Sequence, residues 1–274
     1  MKFLESLILG LVYGFSEFLP ISSTAQLQII GTIFGNDRVD PVRNLFIHIA
    51  VFIAVYTATA KKRMRLDQAH RKYSAKRRNS NSFGTSVAEY NLLRVITISF
   101  VVTFLLLYFI WPLSGNLLQV SLCLLINGVI IYFPDRTMQG NKNAKVMSTV
   151  EAILVGCVAG LSALSGFSRV GLVLSLAAFC GAERKNSSNW ALLLSVCASA
   201  VLVLTDIFEI FAGNGEPFWS NLFFNLISAV FAFVGSLAGI YILRKHISKN
   251  GGTSYAYYCW GAALLALILF LTVA

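Results

Sequence analysis

The chain predicts an all-α integral membrane fold, with six transmembrane helices plus two re-entrant helical hairpins set in an inverted repeat. Three observations carry that expectation. With 57% hydrophobic and 12% charged residues and a mean hydropathy of +0.71, the chain has more apolar surface than a water-soluble core can hide. Two segments repeat each other and break a spanning pattern with polar residues. The basic residues, finally, fall on one side of the topology that those segments define.

The repeat is read directly. Residues 4–25 run LESLILGLVYGFSEFLPISSTA and residues 150–171 run VEAILVGCVAGLSALSGFSRVG, agreeing at Glu5/Glu151, Gly10/Gly156, Val12/Val158, Gly14/Gly160, Ser16/Ser162 and Ser22/Ser168, every pair 146 residues apart. Duplicated, interrupted hydrophobic segments mark membrane proteins that hold a ligand between two related halves. Each repeated segment, 3–34 and 149–181, is long enough to cross ~30 Å of hydrocarbon, but Pro20–Thr24 and Ser165–Arg169 sit in the middle. Backbone that leaves the helix at membrane depth survives only when buried in protein or lining a wet cavity. Both segments therefore read as hairpins that enter and leave on one side, with a pair of kinked spanning helices as the alternative.

Full spans follow from the remaining apolar runs, at 42–60, 90–111, 117–133, 190–211, 220–243 and 256–273. With both termini outside, three spans follow the first hairpin, and the second repeat starts on the opposite face. The chain is then a single membrane domain, 1–274, with inverted repeats over 3–133 and 149–273 and a basic cytoplasmic loop at 61–89. On this topology eighteen of the 22 Lys and Arg lie inside, Lys2, Arg38 and Arg43 lie outside, and Arg169 lies in the second hairpin. That asymmetry is the one expected of a membrane protein.

The net charge of +10 sits mostly beside the membrane, which points to anionic headgroups and away from nucleic acid. From Asp67 to Ser86 the basic segment is polar and reads as a mobile loop. Cys123, Cys157, Cys180, Cys197 and Cys259 fall in apolar runs without metal-ligand spacing and read as packing residues. The first apolar run contains Glu17 and forms half of the repeat, so it reads as part of the fold and not as a cleavable signal. The glycines at 10, 14, 156 and 160 have the small-xxx-small spacing of closely packed helices.

An ionisable residue at membrane depth is a functional candidate because unpaired charge there is costly. Glu17 and Arg169 are the sharpest cases. If the hairpin tips face each other, one pocket would gather Glu17, Ser22, Ser23, Thr24 and Gln26 from the first tip and Gly166, Ser168 and Arg169 from the second. Helices beginning near Ser22 and Ser168 would aim positive dipole ends at that pocket, and a guanidinium suits a phosphate. A buried ion pair that only holds the tips together is the alternative. Within this pocket Ser22 or Ser23 could attack phosphorus or orient a water, Glu17 could serve as base or metal ligand, and Arg169 could stabilise charge on the transferred phosphoryl group.

His48 is the histidine able to reach the pocket, against the plainer reading of a bonded packing residue. His70 and His246 lie in cytoplasmic segments and read as solvated. Asp206 and Glu209 are three apart near the end of a span; they read as markers of the membrane boundary together with Glu216, or as a cation site at the pocket mouth. Trp111, Trp219, Tyr241 and Trp260 read as interfacial anchors.

The segment GLVYGFSEFLPISSTAQL, residues 10–27, resembles the first signature of the undecaprenyl-diphosphate phosphatase family, the bacitracin-resistance membrane proteins. SGFSRVG, residues 165–171, resembles the second signature, and the likeness extends over nearly the whole chain, including NLFIHIAVFIAVY at 44–56. It implies an enzyme of the bacterial plasma membrane that removes the terminal phosphate of undecaprenyl diphosphate at the outer face, in the lipid-carrier cycle of peptidoglycan synthesis. The family fold it implies is an inverted-repeat bundle with two re-entrant hairpins.

The chain departs from the family pattern where the chemistry is carried. The family has two glutamates four apart, and here the first position is Tyr13; its histidine after the Ser-Ser-Thr turn is Gln26. The second signature carries Ser165, Val170 and Val173 in place of proline, serine and threonine. A Mg or Ca ion would rest on Glu17 with the Tyr13 phenol beside it, a poorer donor set than paired carboxylates. The expected partners are a polyprenyl diphosphate or phosphate lipid, the membrane and, in a homodimer, a second copy. A non-hydrolytic relative that binds or flips a polyprenyl phosphate stands as the alternative to the phosphatase, with a small-anion transporter as a third reading.

Overall fold

The computed structural model describes residues 2–35, 40–76, 84–110, 116–137, 140–214, 217, 219 and 221–273. The first repeated segment forms two helices, α1 (Lys2–Glu17) and α2 (Ser23–Ile33), and three long helices follow: α3 (Pro41–Lys76), α4 (Thr85–Ile110) and α5 (Leu117–Thr137). The second repeated segment forms α6 (Thr149–Gly160), a 3-10 turn over Leu161–Ala163, and α7 (Arg169–Phe179). It is followed by α8 (Arg184–Phe211) and α9 (Leu222–Ile242), a π-helical turn over Leu243–Ile247, the short α10 (Ser248–Asn250) and α11 (Thr253–Val273).

Among the described residues, six helices are long and apolar enough to cross a membrane: α3, α4, α5, α8, α9 with its extension to Ile247, and α11. They coincide with the six runs expected to span. This is a multi-span membrane protein, and its outer surface agrees, with Phe109, Phe211, Phe223, Leu264 and Leu271 turned outward on those helices. By contrast α1, α2, α6 and α7 are 16, 11, 12 and 11 residues long, each short of the ~20 needed to cross alone.

The reason for the two breaks is local. Pro20 cannot donate a helical hydrogen bond, and Ser22 leaves helical geometry so that its hydroxyl can accept from Ala25 N and cap α2. In the second segment Gly166 holds φ +114°, and a Cβ there would lie 2.4 Å from Cys123 Cβ, so only glycine fits. Ser168 then caps α7 by accepting from Gly171 N. The two capped helices, 23–33 and 169–179, begin and end at the same 146-residue offset as the sequence repeat. Upstream, Ser148 and Glu151 close a capping box on α6, with Glu151 also paired to Lys142 at 2.8 Å.

The short helices are gripped by the long ones. Helix α1 packs along α9, and α6 packs along α4. At Gly14 an added Cβ would sit 2.0 Å from the Ala232 carbonyl oxygen, and at Gly156 2.4 Å from that of Ile96, so both contacts are backbone against helix. The small-xxx-small spacing therefore does what its pattern implied. Helix α5 lies against α11, and α3 packs against both α8 and α9. All five cysteines are free, with Cys123 and Cys259 buried, in keeping with packing roles.

Two expectations change. The basic segment 61–89 is not a loop from its start, because α3 continues as helix to Lys76. Its sequence from Lys61 to Lys76 is rich in Lys and Arg, with Met64, Leu66, Gln68 and Ala69 among them, all strong helix formers. The extension is also anchored: Leu66 is buried, Lys62 pairs with Glu89 at 2.6 Å, Asp67 pairs with Arg71 one turn on, and His70 stacks on Tyr90 at 4.2 Å. Trp260 is also more than an interfacial anchor. Its Nε1 donates to Leu125 O, and its ring meets Tyr132 and Tyr257, joining α5 to α11. Trp111, Arg38 and Glu216 lie outside the described residues.

Candidate active site

The breaks after α1 and α6 bring their tips together. Gly166 N donates to Ser22 Oγ at 3.0 Å, and Ser168 Oγ donates to Leu19 O at 3.0 Å, so each tip is bonded to the other. Ser168 N donates to Asn127 Oδ1 of α5 at 3.0 Å, which fixes the second tip from behind. Beside this junction lies a cleft lined by Tyr13, Glu17, Ser23, Thr24, Ser162, Ser168 and Arg169, with Phe104, Phe167, Ile21 and Leu202 as its apolar walls.

Glu17 is the centre of the cleft. Its Oε1 accepts from Arg169 Nη2 at 2.6 Å, and its Oε2 accepts a short hydrogen bond from the Ser23 hydroxyl. Both charged residues are only 7% exposed. Arg169 Nη2 also donates to Ser195 Oγ of α8 at 3.3 Å. The guanidinium is not exhausted by these contacts: Arg169 Nε and Ser162 Oγ are buried without a protein hydrogen-bond partner. Unpaired donors at such depth are costly unless a ligand meets them, and a guanidinium edge suits an oxyanion. The first turns of α2 and α7 begin at Ser23 and Arg169, so two helix amino-termini add positive potential beside the cleft.

The site residues expected from sequence divide clearly. Glu17, Ser23, Thr24, Ser168, Arg169 and Tyr13 all line the cleft. Ser22 does not offer a free hydroxyl: its Oγ caps α2, accepts from Gly166 N and bonds Thr24 Oγ1 at 3.1 Å. Gly166 contributes its backbone N–H and a bend, not a side chain. Gln26 faces elsewhere, accepting from the Tyr258 hydroxyl of α11 at 2.7 Å. Helical phase does not explain this, since positions 23 and 26 lie only about 60° apart around α2; the contact with α11 draws the Gln26 side chain away from the cleft.

His48 reaches the cleft through Tyr13. Its Nε2 lies 2.7 Å from the Tyr13 hydroxyl, and its Nδ1 makes a short contact with Asp206 Oδ2. Asp206 is 7% exposed, which corrects its reading as a marker of the membrane boundary; one turn of α8 places it inward against α3. Glu209 accepts from the Tyr108 hydroxyl at 2.7 Å and from Asn214. One participant, Ser162, was missed from sequence, where it was visible only as a match to Ser16 in the repeat. Asp206 was singled out there, but as a boundary marker or cation site and not as a partner of His48.

A divalent cation fits this donor set poorly. The carboxylate oxygens of Glu17 are taken up by Arg169 and Ser23, the Tyr13 hydroxyl by His48, and no group of three acidic, histidine or cysteine side chains converges on one point among the described residues.

The fold and site together define a multi-span helical membrane protein that buries an arginine and a carboxylate where two broken segments meet, a donor set chemically suited to an oxyanion. The chain belongs to the family described as bacitracin resistance protein BacA, whose model matches residues 6–265. It is 27% identical over 271 residues to a protein of Bacillus cereus named undecaprenyl-diphosphatase 3, covering 98% of each chain. It is 28% identical over 273 residues to undecaprenyl-diphosphatase 1 of Shouchella clausii, covering 98% of this chain and 96% of that one. With an undecaprenyl-diphosphatase of Methanococcus maripaludis the identity is 26% over 269 residues, covering 96% and 99%.

Proposed function

We propose that this chain is a polyprenyl diphosphate phosphatase, with undecaprenyl diphosphate as substrate, that releases inorganic phosphate and returns the lipid carrier as its monophosphate. One observation carries the reading beyond family membership: the Ser23 hydroxyl is bonded to Glu17 while Arg169 keeps a buried, unpartnered Nε beside it. A protein that only bound or carried a phosphate would need the arginine but not a hydroxyl paired to a carboxylate.

The terminal phosphoryl group sits against Arg169 and the amino-terminal turns of α2 and α7, with its phosphorus facing Ser23. Ser23 Oγ attacks in line as its proton passes to Glu17. The bond to the bridging oxygen breaks, and the lipid monophosphate leaves as an already stable anion needing little help from an acid. Arg169 takes up charge on the transferred oxygens. Water then attacks the phosphoserine, and the proton held by Glu17 returns to Ser23. No step is routed through a divalent cation, for the reason its donor set gives.

The architecture proposed around this site is a single membrane domain of two inverted repeats, 3–133 and 149–273, with α1–α2 and α6–α7 as re-entrant hairpins. The equal offsets of α2 and α7 and the reciprocal packing of α1 on α9 and α6 on α4 support it. The charge asymmetry supports it too, and with it the proposed orientation in a bacterial plasma membrane, with both termini outside, the cleft toward the outer face and the basic end of α3 in the cytoplasm. A homodimer belongs to the same proposal.

Phosphate release from undecaprenyl diphosphate by the purified full chain, with and without chelator, tests the function. Release that survives chelation and is lost in Arg169→Ala is expected. No release with or without any divalent cation would end the phosphatase reading.

A further inference from the structure

The proposed reaction leaves one requirement unmet at the cleft. Once Glu17 has taken the Ser23 proton it cannot also deprotonate the water that attacks the phosphoserine, and the family histidine position is filled by Gln26, which cannot carry a proton and faces Tyr258. Behind the cleft, however, lies a buried line of polar groups that the reaction has not used. Asp206 of α8, His48 of α3 and Tyr13 of α1 are joined by consecutive hydrogen bonds and are 7%, 5% and 2% exposed. Tyr13 ends that line in the cleft, beside Glu17, Ser23 and Arg169.

The chemistry of the contacts sets the direction of the line. A carboxylate can only accept, so His48 Nδ1 carries the hydrogen toward Asp206, and Nε2 is left as an acceptor for the Tyr13 O–H. We infer that Asp206, His48 and Tyr13 form a proton relay for the second step, in which Tyr13 meets the attacking water and His48 is the base behind it. This rests on the phosphatase reading above and adds to it the group that receives the proton. The water oxygen bonds to phosphorus as one water proton passes to Tyr13 Oη and the original Tyr13 proton passes to His48 Nε2. The bond from phosphorus to Ser23 Oγ breaks, and Ser23 takes the proton held by Glu17. The imidazolium so formed is held by the Asp206 carboxylate until it returns its proton to solvent or product. A buried carboxylate that orients an imidazole and stabilises its cation is the logic of a catalytic triad. Tyr13 is thus the catalytic residue, and His48 and Asp206 are positioning residues that act through it.

The surroundings of His48 leave it few other partners. Of the helices packed on α3, α1 brings Tyr13, with Glu17 and Arg169 beyond it, and α8 brings Asp206, with Glu209 one turn away. Tyr241 is the sole titratable residue in α9. In α4, Glu89 is paired to Lys62, Tyr90 is stacked on His70, Arg94 is exposed and Tyr108 bonds Glu209.

The experiment measures phosphate release against pH, and phosphate carried on the protein by mass spectrometry after rapid quench, for the wild-type chain, His48→Gln, Asp206→Asn and Tyr13→Phe. Wild type should lose activity as pH falls, because a protonated imidazole accepts nothing. Each variant should lower kcat by about 100-fold, with KM moved less than about threefold. His48→Gln should also lose the acidic limb and accumulate phosphoserine at Ser23. Tyr13→Phe keeps the ring packing and removes only the hydroxyl, so it answers the question should a variant at His48 fail to fold. Wild-type release with an unchanged acidic limb and no accumulated phosphoserine in His48→Gln or Tyr13→Phe would overturn the relay alone. No release from the wild-type chain would overturn the phosphatase reading and the relay together.

Discussion

The tip between α1 and α2 and the tip between α6 and α7 share a scaffold and differ in what they hold out. Each has a serine N-cap, Ser22 or Ser168, and each cap is followed by a helix of 11 residues. Each capping hydroxyl also bonds the opposite tip, Ser22 accepting from Gly166 N and Ser168 donating to Leu19 O. The next residue then differs: Ser23 in the first tip, Arg169 in the second. Glu17, six residues before Ser23, accepts hydrogen bonds from both. The repeated position supplies the frame, and the unrepeated one carries the groups proposed for the chemistry.

Substitutions that separate frame from chemistry should therefore separate stability from turnover. The largest effect on turnover is expected at Ser23→Ala, which removes the proposed nucleophile and leaves the caps alone. Phosphate release should fall by at least about 1,000-fold with the melting temperature nearly unchanged. Arg169→Lys comes next. It keeps a charge against Glu17 but loses the planar fork, so release should fall about 100-fold, whereas Arg169→Ala would also strand a buried carboxylate, at about 3–5 kcal/mol. Comparing the two by thermal unfolding in detergent sharpens which part of the arginine acts on substrate. If Ser23→Ala retained full release, the assignment of chemistry to the first tip would fail.

Gly166→Ala inverts that pattern. It touches no proposed reacting group, yet it places a Cβ at a backbone angle of +114° and 2.4 Å from Cys123 Cβ. A loss of about 2–4 kcal/mol in unfolding free energy is expected from strain and overpacking. Ser22→Ala should cost less, about 1 kcal/mol for the lost cap, with release reduced only as far as the tip contact to Gly166 loosens. Full loss of turnover in Ser22→Ala with unchanged stability would instead restore Ser22 as a reacting group.

Much of this was legible in the sequence because it rests on patterns that the bilayer enforces. Six apolar runs became six long helices, since runs of that length satisfy their own backbone in hydrocarbon as helices. Glu17 and Arg169 were legible for the same reason, as charges too costly to place without use. The extension of α3 to Lys76 was missed because polarity was taken for disorder, where Leu66, Glu89 and Tyr90 supply tertiary anchors that composition does not reveal. The inward turn of Asp206 depends on the rotation of α8 against α3, and the turn of the buried Gln26 toward Tyr258 on how α2 meets α11. Helix rotation is set by packing, which a single apolar run leaves open.

Gln26 gives the smallest effect and the finest test of that rotation. It occupies the position where the resemblance expects histidine, and a reading of the residues alone would restore activity with Gln26→His. The side chain instead meets Tyr258 on α11, and its Nε2 is buried without a protein partner. A histidine there would exchange one hydrogen bond to Tyr258 for another and would not approach Ser23. Release by Gln26→His should stay within about twofold of wild type, and its pH profile should keep the limb set elsewhere. A large gain, measured at saturating undecaprenyl diphosphate, would mean that α2 turns residue 26 into the cleft when substrate binds, and that the first tip offers two faces to the reaction where the structure displays one.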